Sequence, residues 1–252
     1  MAVGVDEASR AYERAMRNVA APGPGVCEIC RTFINPEHRT CFHCGHQPAN
    51  LSAVVPITYS ENLGQMHTAL RNYKKEGVAP AVRRYAAIRL AAILWRFLDE
   101  HEVCVADFAS VDRFDLVTIV PSSDPQRDEN SPFRGLTGWI GPIEDRTRRL
   151  LEPTGTGSRE RDFDPERFRA LDELTGEAVL LLDDTWTTGS SARSAAHALV
   201  GAGASAVALV VIGRHLRPEY EPVKGSGESC GDLFGDLPEA FDWSTCAAHT
   251  SG

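Results

Sequence analysis

Two adjacent carboxylates, Asp183 and Asp184, stand at the exit of the aliphatic run "AVLLL". Taking such a pair out of water is unfavourable unless a hydroxyl, a cation or a metal ion meets it. The next seven positions, "TWTTGSS" at 185–191, are mostly small or hydroxylated. They lead into a segment of helical periodicity, so free backbone N–H groups and the helix dipole gather there and favour an anion. Gly189 lets the main chain come close to a ligand. Thr185 opens the run, and Thr187, Thr188, Ser190 and Ser191 add hydroxyl donors. The aspartates repel a phosphate, but they suit a neighbouring diol or a divalent cation. Carboxylates for hydroxyls, with a phosphate cradle a few residues on, fit a sugar phosphate such as ribose 5-phosphate. A nucleoside monophosphate satisfies the same groups. A plain helix cap requires neither the hydroxyl run nor the acid pair. The loop has no lysine after its glycine, with Arg193 misplaced for that role, and it lacks the spaced glycines of a dinucleotide fingerprint.

A second constellation lies near the N-terminus. "CEICRTFINPEHRTCFHCG" holds Cys27-x2-Cys30 and Cys41-x2-Cys44. Two knuckles of this kind present four thiolates tetrahedrally to one ion, with Zn2+ the first choice. Two disulfides are the alternative. Four cysteines leave no open position for a reactive water, so the ion's role is structural, in folding or docking. His38, His43 and His46 lie nearby and read as surface or outer groups, although each has the chemistry to replace a cysteine. Cys104, Cys230 and Cys246 lack paired spacing and read as buried or free thiols.

The elements that position these groups are legible in outline. Residues 178–183 and 205–212 are continuous apolar runs, the pattern of strands buried on both faces, which predicts a parallel sheet covered by helices. A helix at 190–201 joins them as a βαβ unit, with Ala192, Ala195, Ala196, Leu199 and Val200 on its sheet-facing side and Gly201 and Gly203 at its stop. In such a sheet, ligands bind at the carboxyl ends of strands, which is where Asp183 and Asp184 fall. Residues 115–120, "DLVTIV", predict another strand, ending at Pro121. Residues 65–100 carry two helical patterns split near Gly77 and Pro80, and the oily stretch 85–98 reads as a buried amphipathic helix. Residues 48–64 read as an irregular or extended connection. Residues 121–176 read as mobile loop with one or two helices, such as "IEDRTRRLLE". Residues 1–20 read as a charged helix or a frayed tail, and "APGPG" at 21–25 breaks it.

With 252 residues, 42% apolar and 24% charged, the chain has the composition of a soluble globular protein of one large domain with a small appendage. The net charge of −9 argues against wholesale electrostatic binding to nucleic acid. The first residues lack the apolar core of a signal peptide, and 85–98 is too short to span a bilayer. A cytoplasmic protein without a membrane partner is expected. Four parts are expected: a helix or tail and linker at 1–25, a zinc ribbon at 26–50, the main domain at 51–216 and a loop-rich tail at 217–252.

"VLLLDDTWTTGSS" resembles the 5-phosphoribosyl-1-pyrophosphate (PRPP) motif of type I phosphoribosyltransferases. The resemblance implies an α/β fold, with a phosphoribosyltransferase-like parallel sheet flanked by helices and a small N-terminal zinc ribbon. It implies that Asp183 and Asp184 bind the ribose hydroxyls and that residues 185–191 wrap the 5′-phosphate. Mg2+ would ride on the pyrophosphate and ribose oxygens. "DLVTIVPSS" is similar to the family's pyrophosphate loop, which makes the backbone N–H groups of Ser122 and Ser123 donors, and residues 124–160 stand where the family has its mobile hood. Two positions depart from the pattern. Trp186 replaces an aliphatic residue and either stacks on a ligand or covers the sheet edge. Thr187 stands where purine-salvage relatives carry a carboxylate base.

The four-cysteine segment joined to this motif resembles the ComF family, associated with bacterial DNA uptake. "LRNYKKEG" at 70–77 is similar to its short lysine-containing segment, and "FRGL" at 133–136 partly matches its Arg-Gly-Phe-Asn motif, without the Phe and Asn. Three readings follow. An enzyme would transfer the phosphoribosyl group from PRPP to a nitrogen nucleophile, with Lys74 or Lys75 near the pyrophosphate. A binding module would sense PRPP, another ribose phosphate or a nucleotide, and dock a protein or single-stranded DNA through the ribbon, helped by Arg83–Arg84 or Arg146, Arg148 and Arg149. A dimerisation unit, giving a homodimer, leaves the 185–191 loop unexplained.

Overall fold

Three consecutive leucines, Leu180 to Leu182, have no solvent exposure on either face of their strand. A strand in that position needs partners on both edges and helices above and below. The computed structural model, which describes residues 4–48, 50–155 and 162–248, supplies both. In chain order it runs α1 (Val5–Arg10), α2 (Phe42–His46), β1 (Ala53–Glu61), α3 (Gln65–Asn72), α4 (Pro80–Phe108) and β2 (Leu116–Ile119). It continues with α5 (Pro125–Glu129), α6 (Pro132–Thr137), β3 (Leu151–Pro153), β4 (Phe168–Ala170), β5 (Ala178–Trp186), α7 (Ser190–Gly201), β6 (Ala206–Leu216) and α8 (Cys230–Gly235). The main sheet has the order β1-β6-β5-β2 and is parallel throughout; β3 and β4 form a separate antiparallel pair. The chain is therefore α/β, with a four-stranded parallel sheet flanked by helices.

Alternation of side chains divides the core in two. Leu180 and Leu182, with Val55, Ile57, Ala208 and Val210, face α4, where Leu90, Ile93, Leu94 and Phe97 pack against them. Val179 and Leu181, with Val54, Val207 and Leu209, face α7 and the cysteine segment. Each fully buried leucine contributes about 1.5–3 kcal/mol relative to exposure. Met16 near the N-terminus and Trp243 near the C-terminus both enter the α4 layer.

Several expectations change. Residues 48–64 hold a nine-residue strand, β1. Its Pro56 is tolerated because β1 is an edge strand, paired only with β6. "IEDRTRRLLE" is not an α-helix. A 3-10 turn spans Gly141–Arg146, Thr147 then bridges to Val117 beside β2, and Leu151 opens β3 with its side chain buried. Val200 is 43% exposed rather than on the buried face of α7. Within the expected hood, 124–155 folds into α5, α6, the 3-10 turn and β3, and 156–160 lie outside the described residues, as do 1–3 and 249–252 at the two ends of the chain.

Candidate functional site

Because β2 and β5 are adjacent and parallel, their carboxyl ends open on the same edge of the sheet. This brings Ser122 and Ser123 to the same cleft as Asp183, Asp184, Thr185, Thr187 and Ser191. The cleft encloses about 1400 Å³. Thr188 lines an adjoining cleft shared with the cysteine segment, while Gly189 and Ser190 are buried in the turn between the two.

The two aspartates differ in their partners. Asp184 is buried, and its Oδ2 accepts a short hydrogen bond from the Tyr73 hydroxyl and a charged one from Lys74 Nζ at 2.6 Å. Burial, and then the Asp184 charge, hold the Tyr73 hydroxyl well above its ordinary pKa, so it remains a donor. Asp183 Oδ1 receives the backbone N–H of Asp184 at 2.8 Å. Burial and the neighbouring Asp184 push its pKa up to about 8, against a smaller opposing pull from Lys74. Asp183 is therefore the carboxylate most in want of a cation or hydroxyl donor.

The turn that follows is fixed by Trp186 and Gly189. Gly189 has φ +80°, and a Cβ placed there would lie 2.1 Å from the Trp186 ring. Trp186 is almost fully buried, with the Arg193 guanidinium 5.5 Å from its ring centre. It supports the turn from beneath and covers the sheet. Thr188 Oγ1 meets both Ser190 Oγ, at 3.3 Å, and the Ser190 N–H, at 3.4 Å. Arg167, a residue that sequence spacing gave no reason to choose, sends Nη1 to the hydroxyls of Ser190 and Ser191 at 3.3 and 3.4 Å. Burial lowers its pKa, with Asp164 and Asp162 opposing, and an arginine stays charged under such shifts. The N-terminus of the twelve-residue α7 thus carries a guanidinium as well as hydroxyls and the positive end of the helix dipole.

On the β2 side, the Ser122 N–H already donates to Asp128 Oδ1 at 3.2 Å. Asp128 has no solvent exposure. Arg134 holds both its oxygens, at 3.0 and 2.9 Å, and Arg149 adds a bond at 3.0 Å. This cluster around a buried carboxylate fastens α5 and α6 to the loop after β2. Phe133 and Leu136 of "FRGL" are buried in α6. Of the basic residues in the expected patches, Arg83 lines the cleft, whereas Arg146 is engaged by Glu102 at 2.6 and 2.9 Å.

The four paired cysteines converge as their spacing requires. All four sulfurs lie within 4.8 Å of one another, and Cys30 Sγ to Cys41 Sγ is 3.8 Å. A tetrahedral zinc site with Zn–S bonds near 2.3 Å has edges of about 3.8 Å, so the set can hold a metal ion such as zinc. The Cys41 N–H points at Cys27 Sγ, 3.3 Å away, a bond that favours thiolate. The thiols of Cys27, Cys41 and Cys44 hold the Cys30 thiol well below its ordinary pKa, while hydrogen bonding to Cys27 and Cys30 raises those of Cys41 and Cys44. The cluster shares protons unevenly because four thiolates this close repel without a cation.

No family model, curated protein or solved structure matches the chain.

The cysteine cluster and the cleft are nevertheless joined within the molecule. Arg214, buried at the end of β6, donates from Nε to Cys30 O at 3.0 Å and from Nη1 to Trp186 O at 3.2 Å. Burial alone would lower its pKa, but the Cys30 thiolate and its neighbours raise it overall. One signal in the sequence marks it: a cation following the apolar run "AVALVVIG" costs free energy unless buried acceptors await it.

Proposed function

We propose that the cleft binds PRPP or a related ribose 5-phosphate compound and transfers its phosphoribosyl group to a nitrogen nucleophile. The observation that carries this reading is the placement of Asp183, with its raised pKa, beside a glycine turn and helix N-terminus that hold Arg167. A diol on the aspartates and a phosphate on the turn satisfy both at once. In the transfer, the bond from the anomeric carbon to pyrophosphate breaks, the nitrogen lone pair forms the new bond, and the nitrogen's proton passes to solvent. Asp183 and Asp184 would hold the ribose while positive charge develops at the anomeric carbon. Mg2+ would neutralise the leaving pyrophosphate. Thr187 supplies no carboxylate base, so a nucleophile with an available lone pair suits the cleft better than a purine that must first lose a proton. The segment bearing α5 and α6 would limit the access of water. In this reading zinc in the four-cysteine cluster is structural, which accords with its closed donor set.

A second reading, a PRPP or nucleotide sensor without turnover, draws on two contacts. The Ser122 N–H is held by Asp128 and Lys74 is held by Asp184, so neither is directed at a pyrophosphate. The ribbon would then serve to dock a protein or single-stranded DNA. A pyrophosphate-release assay separates the two. The zinc-loaded chain is incubated with PRPP, Mg2+ and a panel of amines and nitrogen bases. Release that depends on one acceptor, and that is lost in Asp183→Asn, supports transfer. Binding of PRPP with no release for any acceptor supports the sensor.

A further inference from the structure

A second group of soft donors lies in the layer of α4. His101 and Cys104 are one helical turn apart on α4, and Cys246 comes from the segment after α8. One donor atom from each lies within 4.8 Å of the other two. His101 and Cys246 are buried and Cys104 is partly so.

The imidazole is oriented for ligation. His101 Nε2 lies 2.6 Å from Trp243 O. A carbonyl only accepts, so Nε2 carries the proton and a neutral ring presents its lone pair at Nδ1. Nδ1 is the atom that faces Cys104 Sγ, at 3.8 Å. A tetrahedral zinc with one nitrogen and one sulfur ligand has an N–S edge of about 3.6 Å. A backbone carbonyl fixing the far nitrogen of a histidine is also the usual outer support of such ligands.

We propose that His101, Cys104 and Cys246 bind a second zinc ion, which clasps the C-terminal segment onto α4. Two thiolates and an imidazole select zinc over the hard cations magnesium and calcium. The clasp sits at a junction. Trp243 Nε1 donates to Glu13 at 2.7 Å, and the Arg96 guanidinium lies 4.1 Å from the Trp243 ring centre. Ala247 O accepts from Arg31 Nη2 at 3.1 Å, directly after Cys30 of the cysteine lobe. A metal at this point fixes the N-terminal segment, the C-terminal segment and the cysteine lobe to one helix.

The test is metal analysis of the full-length chain, purified under reducing conditions and loaded with Zn2+, together with X-ray absorption at the zinc edge. About two zinc ions per chain are expected, falling to about one in Cys104→Ser and in Cys246→Ser. The wild-type spectrum needs no variant to fold: it should contain a nitrogen shell near 2.0–2.1 Å besides the sulfur shell near 2.3 Å. About one zinc per chain with a purely sulfur shell overturns the proposal. Two zinc ions that persist in correctly folded Cys104→Ser also overturn it.

Discussion

In the cysteine lobe four like donors come from one short stretch, residues 27–44, and converge on a single point. In the acid cleft the partners of Asp184 come from Tyr73 and Lys74, 111 and 110 residues away in sequence. The first arrangement is closed, because one cation satisfies all four sulfurs and leaves no vacancy for substrate. The second is open, because Tyr73 and Lys74 satisfy Asp184 while Asp183 keeps a raised pKa at the cleft floor. A closed set of donors stabilises a fold, whereas an open one leaves free energy to be recovered by a ligand. Arg214 makes the two interdependent by gripping a carbonyl in each.

The largest effect should come from opening the closed set. Cys30→Ser should release the metal of the cysteine lobe and lower the melting temperature by about 10 °C, given that structural zinc contributes several kcal/mol or more. Scanning calorimetry beside metal analysis checks this. Metal loss with an unchanged melting temperature would mean that the lobe does not support the sheet. Next in size is the cleft. Asp183→Asn combined with Asp184→Asn removes both carboxyl groups that would meet the ribose hydroxyls and should weaken binding of a ribose 5-phosphate compound by roughly 100-fold or more. The zinc content should not change, which separates the two regions directly.

Gly189→Ala should have a smaller effect. It forces a side chain into a left-handed backbone position, at about 1–2 kcal/mol, and against the Trp186 ring. Binding should weaken about tenfold, whereas Gly201→Ala, which meets nothing within 4 Å, should leave it unchanged. The smallest effect is that of pH. With the Asp183 pKa raised to about 8, the folded protein keeps a proton that the unfolded chain loses near pH 4. The group's contribution to stability therefore falls as pH rises from about 4 to 8. A ligand that needs the carboxylate gains affinity as pH rises through that pKa, about threefold from pH 7.5 to 8.5. Titrations at several pH values should show this slope, and Asp183→Asn should flatten it.

Much of this contrast was legible in the residues. The βαβ unit from β5 to β6 announces itself through continuous apolar runs and the glycines near its turns, and the cysteine spacing states its own geometry. β1 was hidden by Pro56 and by its Thr, Tyr and Ser residues, which an edge strand permits but which do not form an apolar run. The stretch after α6 misled because its arginines recur at helical spacing, although Arg146 and Arg149 are placed by Glu102 and Asp128 from elsewhere in the chain. Tyr73, Arg167 and Asp128 could not be assigned to the cleft from spacing, since only the folded sheet brings them near β5 and β2. The same holds for Cys104 and Cys246, whose proximity depends on the C-terminal segment returning to α4.

The most direct test of the cleft assignment is calorimetric titration of PRPP with Mg2+ into the zinc-loaded full-length chain, beside the Asp183→Asn, Asp184→Asn double variant. Saturable binding to the wild type, abolished in a double variant that keeps its zinc, is the predicted result. Equal affinity in both proteins, or no binding to either, would contradict the assignment of these acids to a ribose phosphate.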